Sequence, residues 1–195
     1  MRNIQVLREE GVPQSNIVKY LVSQPMALSM SAVKLKDIVQ EIKGVGFDPH
    51  KFAFLTAIGI FKGMAKSTWE AKLNAYRKWA WSEEEILFAF RMYPTCIAYS
   101  TKKISLTMDY LINHMDYSAK FMARYPTFLG FSLEKRIIPR CSVYRILVSK
   151  GLIKDQTPKC SLFRIHEDSF LEKFVIKYEK EAVKDLSACF GRLTK

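Results

Sequence analysis

Apolar residues recur along most of the chain at intervals of three and four, the spacing of one face of an α-helix. Prolines interrupt this pattern at Pro25, Pro94 and Pro126, and Gly59 stands in the equivalent place of a fourth segment. Because proline lacks an amide hydrogen and disfavours helical backbone just before it, each proline is expected to end a helix. The breaks lie 34, 35 and 32 residues apart, which predicts a repeat.

Residues at fixed distances from the breaks keep the same apolar character. Four residues before each break stand Leu21, Leu55, Phe90 and Met122, and seven before it Val18, Phe52, Leu87 and Ala119. The residues 10, 14 and 17 positions after each break are also apolar. They are Leu35, Val39, Ile42; Trp69, Leu73, Tyr76; Ile104, Met108, Leu111; and, one residue later than expected in the last segment, Ile137, Cys141, Tyr144. Each helix thus has one apolar face, which it can bury only by packing against neighbouring helices. We therefore predict an all-α fold, an α-solenoid or superhelix of helix-turn-helix repeats.

We predict a single helical-repeat domain over about residues 1–190, with repeats of about 32–35 residues. The repeats are placed at approximately 4–46, 47–80, 81–116 and 117–152, followed by an amphipathic capping helix at about 166–189.

Helix-boundary residues support this division. Ser82 and Glu85 have the spacing of a capping box. The other predicted N-caps are Ser67, Ser100 or Thr101, and Ser132; the predicted helix ends are at Gly44 and Gly46, and at Gly151.

The charge balance points to a polyanionic partner. The 195 residues include 31 Lys and Arg against 19 Asp and Glu, a net charge of +12. Nucleic acid is the commonest partner of such a surface, and a merely solvated basic surface is the alternative.

Basic residues also recur where the second helix of each repeat begins. The predicted nucleic-acid contacts are Lys34, Lys102, Lys103, Lys135, Arg136, Arg140, Arg145 and Lys150. Of these, Arg136, Arg140 and Arg145 are predicted to contact phosphates or base edges, and Lys102 and Lys103 to clamp the backbone. The alternative for each is a solvated helix face.

The remaining side chains indicate packing more than chemistry. Trp69 and Tyr76 fall on the core stripe, whereas Trp79 and Trp81 lie in a linker where base stacking is the alternative to packing. The cysteines show no CxxC spacing and are interpreted as small apolar fillers in a reducing compartment: Cys96, Cys141, Cys160 and Cys189.

We find no catalytic motif and no metal-ligand spacing, and a Cys141–His166 nucleophile pair is a remote alternative. We therefore expect no enzyme, no metal and no cofactor. No run of about 18 apolar residues suggests a membrane span. The opening segment, MRNIQVLREE, lacks the features of a secretory signal or transit peptide.

Ordered motifs across about residues 4–190 resemble one known family. In three units a Leu or Ile follows the proline by three residues: Leu28, Ile97 and Leu129. Longer matches are Ala123-Arg124-Tyr125-Pro126, Ser132 to Arg140, Ser149-Lys150-Gly151-Leu152, and Phe170 to Val175 with Tyr178. Together these motifs resemble plant members of the mitochondrial transcription termination factor (mTERF) family.

The resemblance implies a superhelix whose basic surface binds duplex DNA, or organellar RNA in some members, in a mitochondrion or chloroplast. It implies a role in transcription, including its termination, or in RNA processing. We expect a monomer without a small-molecule substrate. The alternative is a protein-interaction scaffold, which should show an exposed apolar groove.

Overall fold

The protein is described here by a computed structural model that covers residues 2–154 and 161–178. Helices and turns account for these residues, and no strand occurs among them, so the all-α helical-repeat prediction is confirmed. The chain divides into two compact units, Met1–Thr101 and Lys102–Lys195. The four repeat boundaries remain a prediction.

Six α-helices and one 3₁₀ turn build the described part of the first unit. They are α1 (Arg2–Glu9), α2 (Gln14–Ser23), α3 (Ala32–Gly44), α4 (Phe52–Phe61), α5 (Lys66–Arg77), α6 (Glu83–Met92) and the turn Pro94–Ala98. Helix α1 packs on α3, and α4 packs on α2, on α3 and on the 3₁₀ turn. The core of the unit lies between these helices.

The second unit follows with α7, which starts one residue before the boundary. Its elements are α7 (Thr101–Asp109), a π-helical turn (Tyr110–His114), α8 (Ala119–Arg124), a 3₁₀ turn (Pro126–Gly130), a π-helical turn (Leu133–Ile137), α9 (Ile138–Ser149), α10 (Ser161–Arg164), α11 (Glu167–Phe174) and a 3₁₀ turn (Ile176–Tyr178). Helix α11 packs on α9. The predicted capping helix at about 166–189 is shorter than predicted, because α11 begins at Glu167 but ends at Phe174 and a 3₁₀ turn follows it. The predicted residues 179–189 lie outside the described residues.

The three prolines end their helices as predicted. Helices α2, α6 and α8 stop two residues before Pro25, Pro94 and Pro126. Pro94 and Pro126 each open a 3₁₀ turn, a position that suits their fixed φ and missing amide hydrogen. Each turn buries the apolar residue three positions on, Ile97 or Leu129. The Leu-or-Ile spacing is therefore a packing requirement of the turn.

The prediction that Gly59 marks a break is wrong. Helix α4 runs through Gly59 and ends at Phe61. A Cβ at position 59 would collide with the hydroxyl of Tyr20 on α2, a side chain that is 1% exposed. Glycine is needed here because α2 and α4 approach closely, not because the helix ends.

Burial agrees better with the apolar positions predicted after the breaks, in the second helix of each repeat, than with those predicted before the breaks, in the first helix. The predicted positions are buried apart from Trp69 and Tyr144, which are half-buried. In α2, however, Val18 is 49% exposed, and Ile17 and Tyr20 point inward instead. The predicted first-helix face is therefore rotated by one residue in α2.

Four of the predicted boundary signals are observed as hydrogen bonds or backbone conformations: the capping box, Ser132, Gly46 and Gly151. The Ser82 hydroxyl accepts from the amide of Glu85 at 3.2 Å, and the Glu85 carboxylate accepts from the amide of Ser82 at 2.9 Å. Ser132 also caps as predicted, and Gly46 and Gly151 adopt positive φ after their helices. Ser67 does not cap, because α5 already begins at Lys66.

Candidate nucleic-acid interface

Three lysines occupy the same position at the start of a second helix. Lys34, Lys103 and Lys135 are each the third residue after a serine that precedes the helix, and we call them the helix-start lysines. The Ser31 hydroxyl accepts from the Lys34 amide at 3.2 Å, and the Ser132 hydroxyl accepts from the Lys135 amide at 3.1 Å. The local structure thus places each lysine in the first turn.

Two of these helix starts carry lysine without a neighbouring acid. The first turns of α3 and α7 contain no acidic residue, whereas the turn Leu133–Ile137 contains Glu134 beside Lys135, and α6 begins with three glutamates, Glu83–Glu85. A helix N-terminus carries a positive partial charge that acidic side chains normally neutralise. Lysines placed there add to the positive field, which is the arrangement that an anion requires and that stability alone disfavours.

The predicted contacts in the helix starts differ in exposure. Lys34, Lys102 and Lys135 are exposed, whereas Lys103 is half-buried and its Nζ donates to the carbonyl of Gly130 at 3.5 Å. Lys34 belongs to the first unit, and the other predicted contacts belong to the second. Each unit by itself therefore offers basic helix starts to solvent.

Two further predicted contacts lie near the C-terminal end of α9. Arg145 and Lys150 are both exposed. Burial raises the pKa of Tyr110 and of Cys141 to about 12, and the positive charge of Arg145 opposes both shifts. Arg145 thus lies close enough to Tyr110 and Cys141 to act on them electrostatically, while its side chain remains exposed.

The structure places Arg140 differently from the prediction, which was wrong to assign it a phosphate contact. Its side chain is 0% exposed. The guanidinium donates to the carbonyls of Leu162 and Ile165 at 2.7 and 2.9 Å and to the Glu167 carboxylate at 2.6 Å. It also lies 4.6 Å from the centre of the Phe170 ring. Arg140 therefore holds α10 and α11 against α9.

Arg136 lies at the edge of the contact that Arg140 makes with α10 and α11. It is half-buried, donates to the Ile165 carbonyl at 2.9 Å and lies 5.3 Å from the centre of the Phe131 ring. Burial lowers the pKa of Arg136, the charge of Arg140 lowers it further, and Glu167 partly counteracts both. Its main role is to support the same helix contact.

The aromatic and thiol side chains mostly belong to the core. Trp81 is 3% exposed and stacks on Tyr76 with ring centres 4.7 Å apart, so the base-stacking alternative fails for it. Cys141 is buried and interacts with Tyr110, while the mostly exposed His166 pairs with Asp168 at 3.3 Å. The structure does not assemble the Cys141–His166 pair. Cys160 and Cys189 lie outside the described residues.

Among the described residues, no three side chains of the types that bind metal ions lie together in one place. Within the same residues, no helix is both long and apolar enough to cross a bilayer.

Comparison with known proteins agrees with these structural features. The mTERF family model matches residues 1–171. Over 134 residues, the chain is 23% identical to the transcription termination factor MTERF8, chloroplastic, of Arabidopsis thaliana. That alignment covers 69% of this chain and 27% of the relative, so the chain spans about a quarter of the relative's length. A family match over most of its length shows that this chain belongs to the mTERF family.

Proposed function

We propose that this protein binds organellar nucleic acid, duplex DNA in the first place, and regulates transcription, including its termination, or RNA processing. The carrying observation is the set of exposed lysines at the starts of second helices, Lys34, Lys102 and Lys135. The first turns of α3 and α7, which hold Lys34 and Lys102, contain no acidic residue. Family membership supports a role in organellar transcription without enzymatic activity. The chloroplastic relative supports a chloroplast or mitochondrion as the location.

Binding would be driven mainly by the phosphate backbone. The proposed contacts are the helix-start lysines together with Lys102, Arg145 and Lys150. Point charges on flexible side chains neutralise phosphates without reading base sequence. Arg145 is the one exposed arginine of the predicted set, and its planar guanidinium is suited to bidentate contact with a phosphate or a guanine edge.

Fluorescence anisotropy with labelled duplex DNA and single-stranded RNA across a salt series tests this proposal. We expect the logarithm of the affinity to fall linearly with the logarithm of salt, by about 0.9 per phosphate neutralised on duplex DNA. The triple variant Lys102→Gln, Lys135→Gln, Arg145→Gln should bind at least about tenfold more weakly and should flatten that slope.

A matched control removes three exposed charges outside the proposed contacts, with Lys51→Gln, Lys78→Gln and Lys120→Gln. This variant changes net charge equally and should retain most of the affinity and the slope. An equal loss of affinity in both variants would show that only net charge matters, and the proposed contacts would then be wrong. An absence of binding to either nucleic acid at low salt would refute the proposal.

A further inference from the structure

A groove of about 610 Å³ opens on the surface of the first unit between α1, the end of α2 and the start of α3. Its apolar lining includes Ile4, Leu21, Leu28 and Met30. The turn between α2 and α3 forms one wall, and the side chain of Asn3 holds it in place by donating to the carbonyls of Leu28 and Met30 at 2.8 and 2.7 Å. The groove therefore has a defined shape in the folded unit.

Exposed apolar side chains extend this lining onto the surface around the groove. Val22 at the end of α2, Met26 in the turn and Val33 at the start of α3 are 77%, 72% and 70% exposed. Val18 is also exposed and lies one turn before Val22 on the same face of α2. Single exposed apolar residues are ordinary, whereas several of them around one apolar groove are typical of a surface that binds another protein.

Three cations surround the groove. Arg2 belongs to its lining, to which no carboxylate of the described residues contributes. Lys36 is exposed and lies on α3 one turn beyond the lining residue Ala32, and Lys62 donates to the carbonyl of Met26 at 2.7 Å. None of these three cations has an ion pair within the described part of the chain. Their charges are therefore available to a ligand.

Acidic residues are nearly absent from the elements that form the groove. No Asp or Glu occurs between residues 11 and 36, and Glu9 lies at the far end of α1 from Arg2. Asp37, the first acid of α3, balances only one of the three cations. The surface is thus apolar in the middle and positive around it, which attracts an acidic and partly apolar partner.

We propose that this groove binds an amphipathic helix of a protein partner, one with apolar side chains along one face and Asp or Glu beside them. Apolar side chains spaced by three and four residues on such a helix would fill the groove and cover Val22, Met26 and Val33. Its carboxylates would face the three cations. Met26 and Met30 suit this role, because the flexible methionine side chain adapts to the shape of a partner.

Two other occupants fit the groove less well. A phosphate backbone offers no apolar surface that could cover Val22 and Val33. An anionic bilayer would reach the most exposed side chains, but a flat surface does not fill a groove that reaches Leu21 and Leu28. This docking surface does not depend on the proposed nucleic-acid contacts.

The experiment titrates a synthetic helical peptide, with a leucine face flanked by glutamates, into the full chain isotopically labelled at its methionine methyl groups. The NMR signals of Met26 and Met30, assigned with Met26→Leu and Met30→Leu, should shift in a saturable manner. The signals of the fully buried Met108 and Met122 should stay in place. A peptide with lysines in place of the glutamates, and one of the same composition without an apolar face, should produce no shift.

Val22→Ser with Met26→Ser should weaken peptide binding about tenfold, because two exposed apolar side chains are no longer there to be covered. The matched control is Met92→Ser with Ile176→Ser, which removes two exposed apolar side chains outside the groove lining and should bind the peptide like the parent. Both variants keep the net charge and should bind nucleic acid like the parent, which separates this inference from the proposed function.

Arg2→Gln with Lys36→Gln should weaken binding of the acidic peptide about threefold, the effect expected of partly exposed ion pairs. Three results would each overturn the inference. They are no shift of the Met26 and Met30 signals at about 1 mM peptide, an equal shift with the lysine peptide, or a shift that anionic phospholipid vesicles or duplex DNA produce and the acidic peptide does not.

Discussion

At the scale of single residues, Arg140 shows how burial changes what a basic side chain does. The carbonyls of Leu162 and Ile165 lie at the ends of short helical segments that leave acceptors without intrahelical partners. The guanidinium of Arg140 supplies several donors in one plane and satisfies both carbonyls and the Glu167 carboxylate together. A side chain predicted to contact a ligand thus acts as a connection between helices.

Arg140→Ala should therefore affect stability. Removing the guanidinium leaves buried carbonyls without donors, so the free energy of unfolding should fall by about 2–3 kcal/mol. Arg145→Ala is the matched control, since its side chain is exposed, and should stay within about 0.5 kcal/mol of the parent. Urea unfolding measures both, and equal stability of the two variants would contradict the interior role of Arg140.

The contact between Gly59 and Tyr20 allows a second test. Gly59→Ala should destabilise by about 1–3 kcal/mol, because the new methyl group meets the buried Tyr20 hydroxyl. Tyr20→Phe should be neutral or slightly stabilising, since that hydroxyl is buried without a hydrogen-bond partner.

Combining Gly59→Ala with Tyr20→Phe should restore part of the loss, as a double-mutant cycle measured by urea unfolding would show. Gly63→Ala is the control, because nothing lies within 4 Å of its Cβ position. Strict additivity of the two substitutions would exclude the proposed close approach.

At the scale of elements, a π-helical turn explains the irregularity of the last repeat. The amides of Ile137 and Ile138 bond to the carbonyls of Ser132 and Leu133, five residues back. Pro139 has no amide hydrogen to bond four residues back, which favours the wider turn. A π-helical turn adds one residue, so the buried positions after Ser132 shift by one while Ser132 itself stays in phase.

The two serines predicted as N-caps of neighbouring helices should respond differently to alanine. Ser82→Ala should cost about 1 kcal/mol, because it removes the hydroxyl that accepts from the Glu85 amide. Ser67→Ala should stay within about 0.5 kcal/mol, because Ser67 lies inside the first turn of α5, where alanine is favourable. Thermal and urea unfolding give the comparison, and equal costs would contradict the observed start of α5.

At the scale of the whole molecule, each unit contains a buried free thiol, Cys96 in the first and Cys141 in the second. Burial raises the pKa of both thiols from the ordinary value of 9.0 to about 12. Buried tyrosines follow the same direction, and the pKa of Tyr20 rises to about 12. At alkaline pH, these buried thiol and phenol groups therefore keep their protons in the folded protein, whereas the unfolded chain loses them.

Stability should consequently decline in alkali. Between pH 9 and pH 12 the unfolded state binds fewer protons than the native state, so the free energy of unfolding falls as the pH rises. Below the ordinary thiol pKa both states keep the proton, and these groups contribute no slope there. Urea unfolding between about pH 8 and pH 11 should show the decline.

The double variant Cys96→Ala, Cys141→Ala should start from a lower stability, because it loses buried volume, and should show a shallower decline. A parent curve that stays flat to about pH 11 would contradict the protonated interior.

The sequence by itself determined the helices, their proline ends, the capping box and the buried second-helix stripe. These features depend on neighbours in the chain: a proline removes its own hydrogen bond, and Ser82 and Glu85 are three residues apart. The sequence also shows the excess of basic residues and their recurrence where the second helices begin.

The tertiary structure alone decided which basic residues remain accessible and why Gly59 is glycine. Glu167 is 27 residues from Arg140, and Tyr20 lies on a different helix from Gly59. Such partners meet only when helices pack, and periodicity within one helix contains no information about what it packs against. The groove beside Leu21 has the same origin, since its lining comes from three separate helices and the turn between two of them.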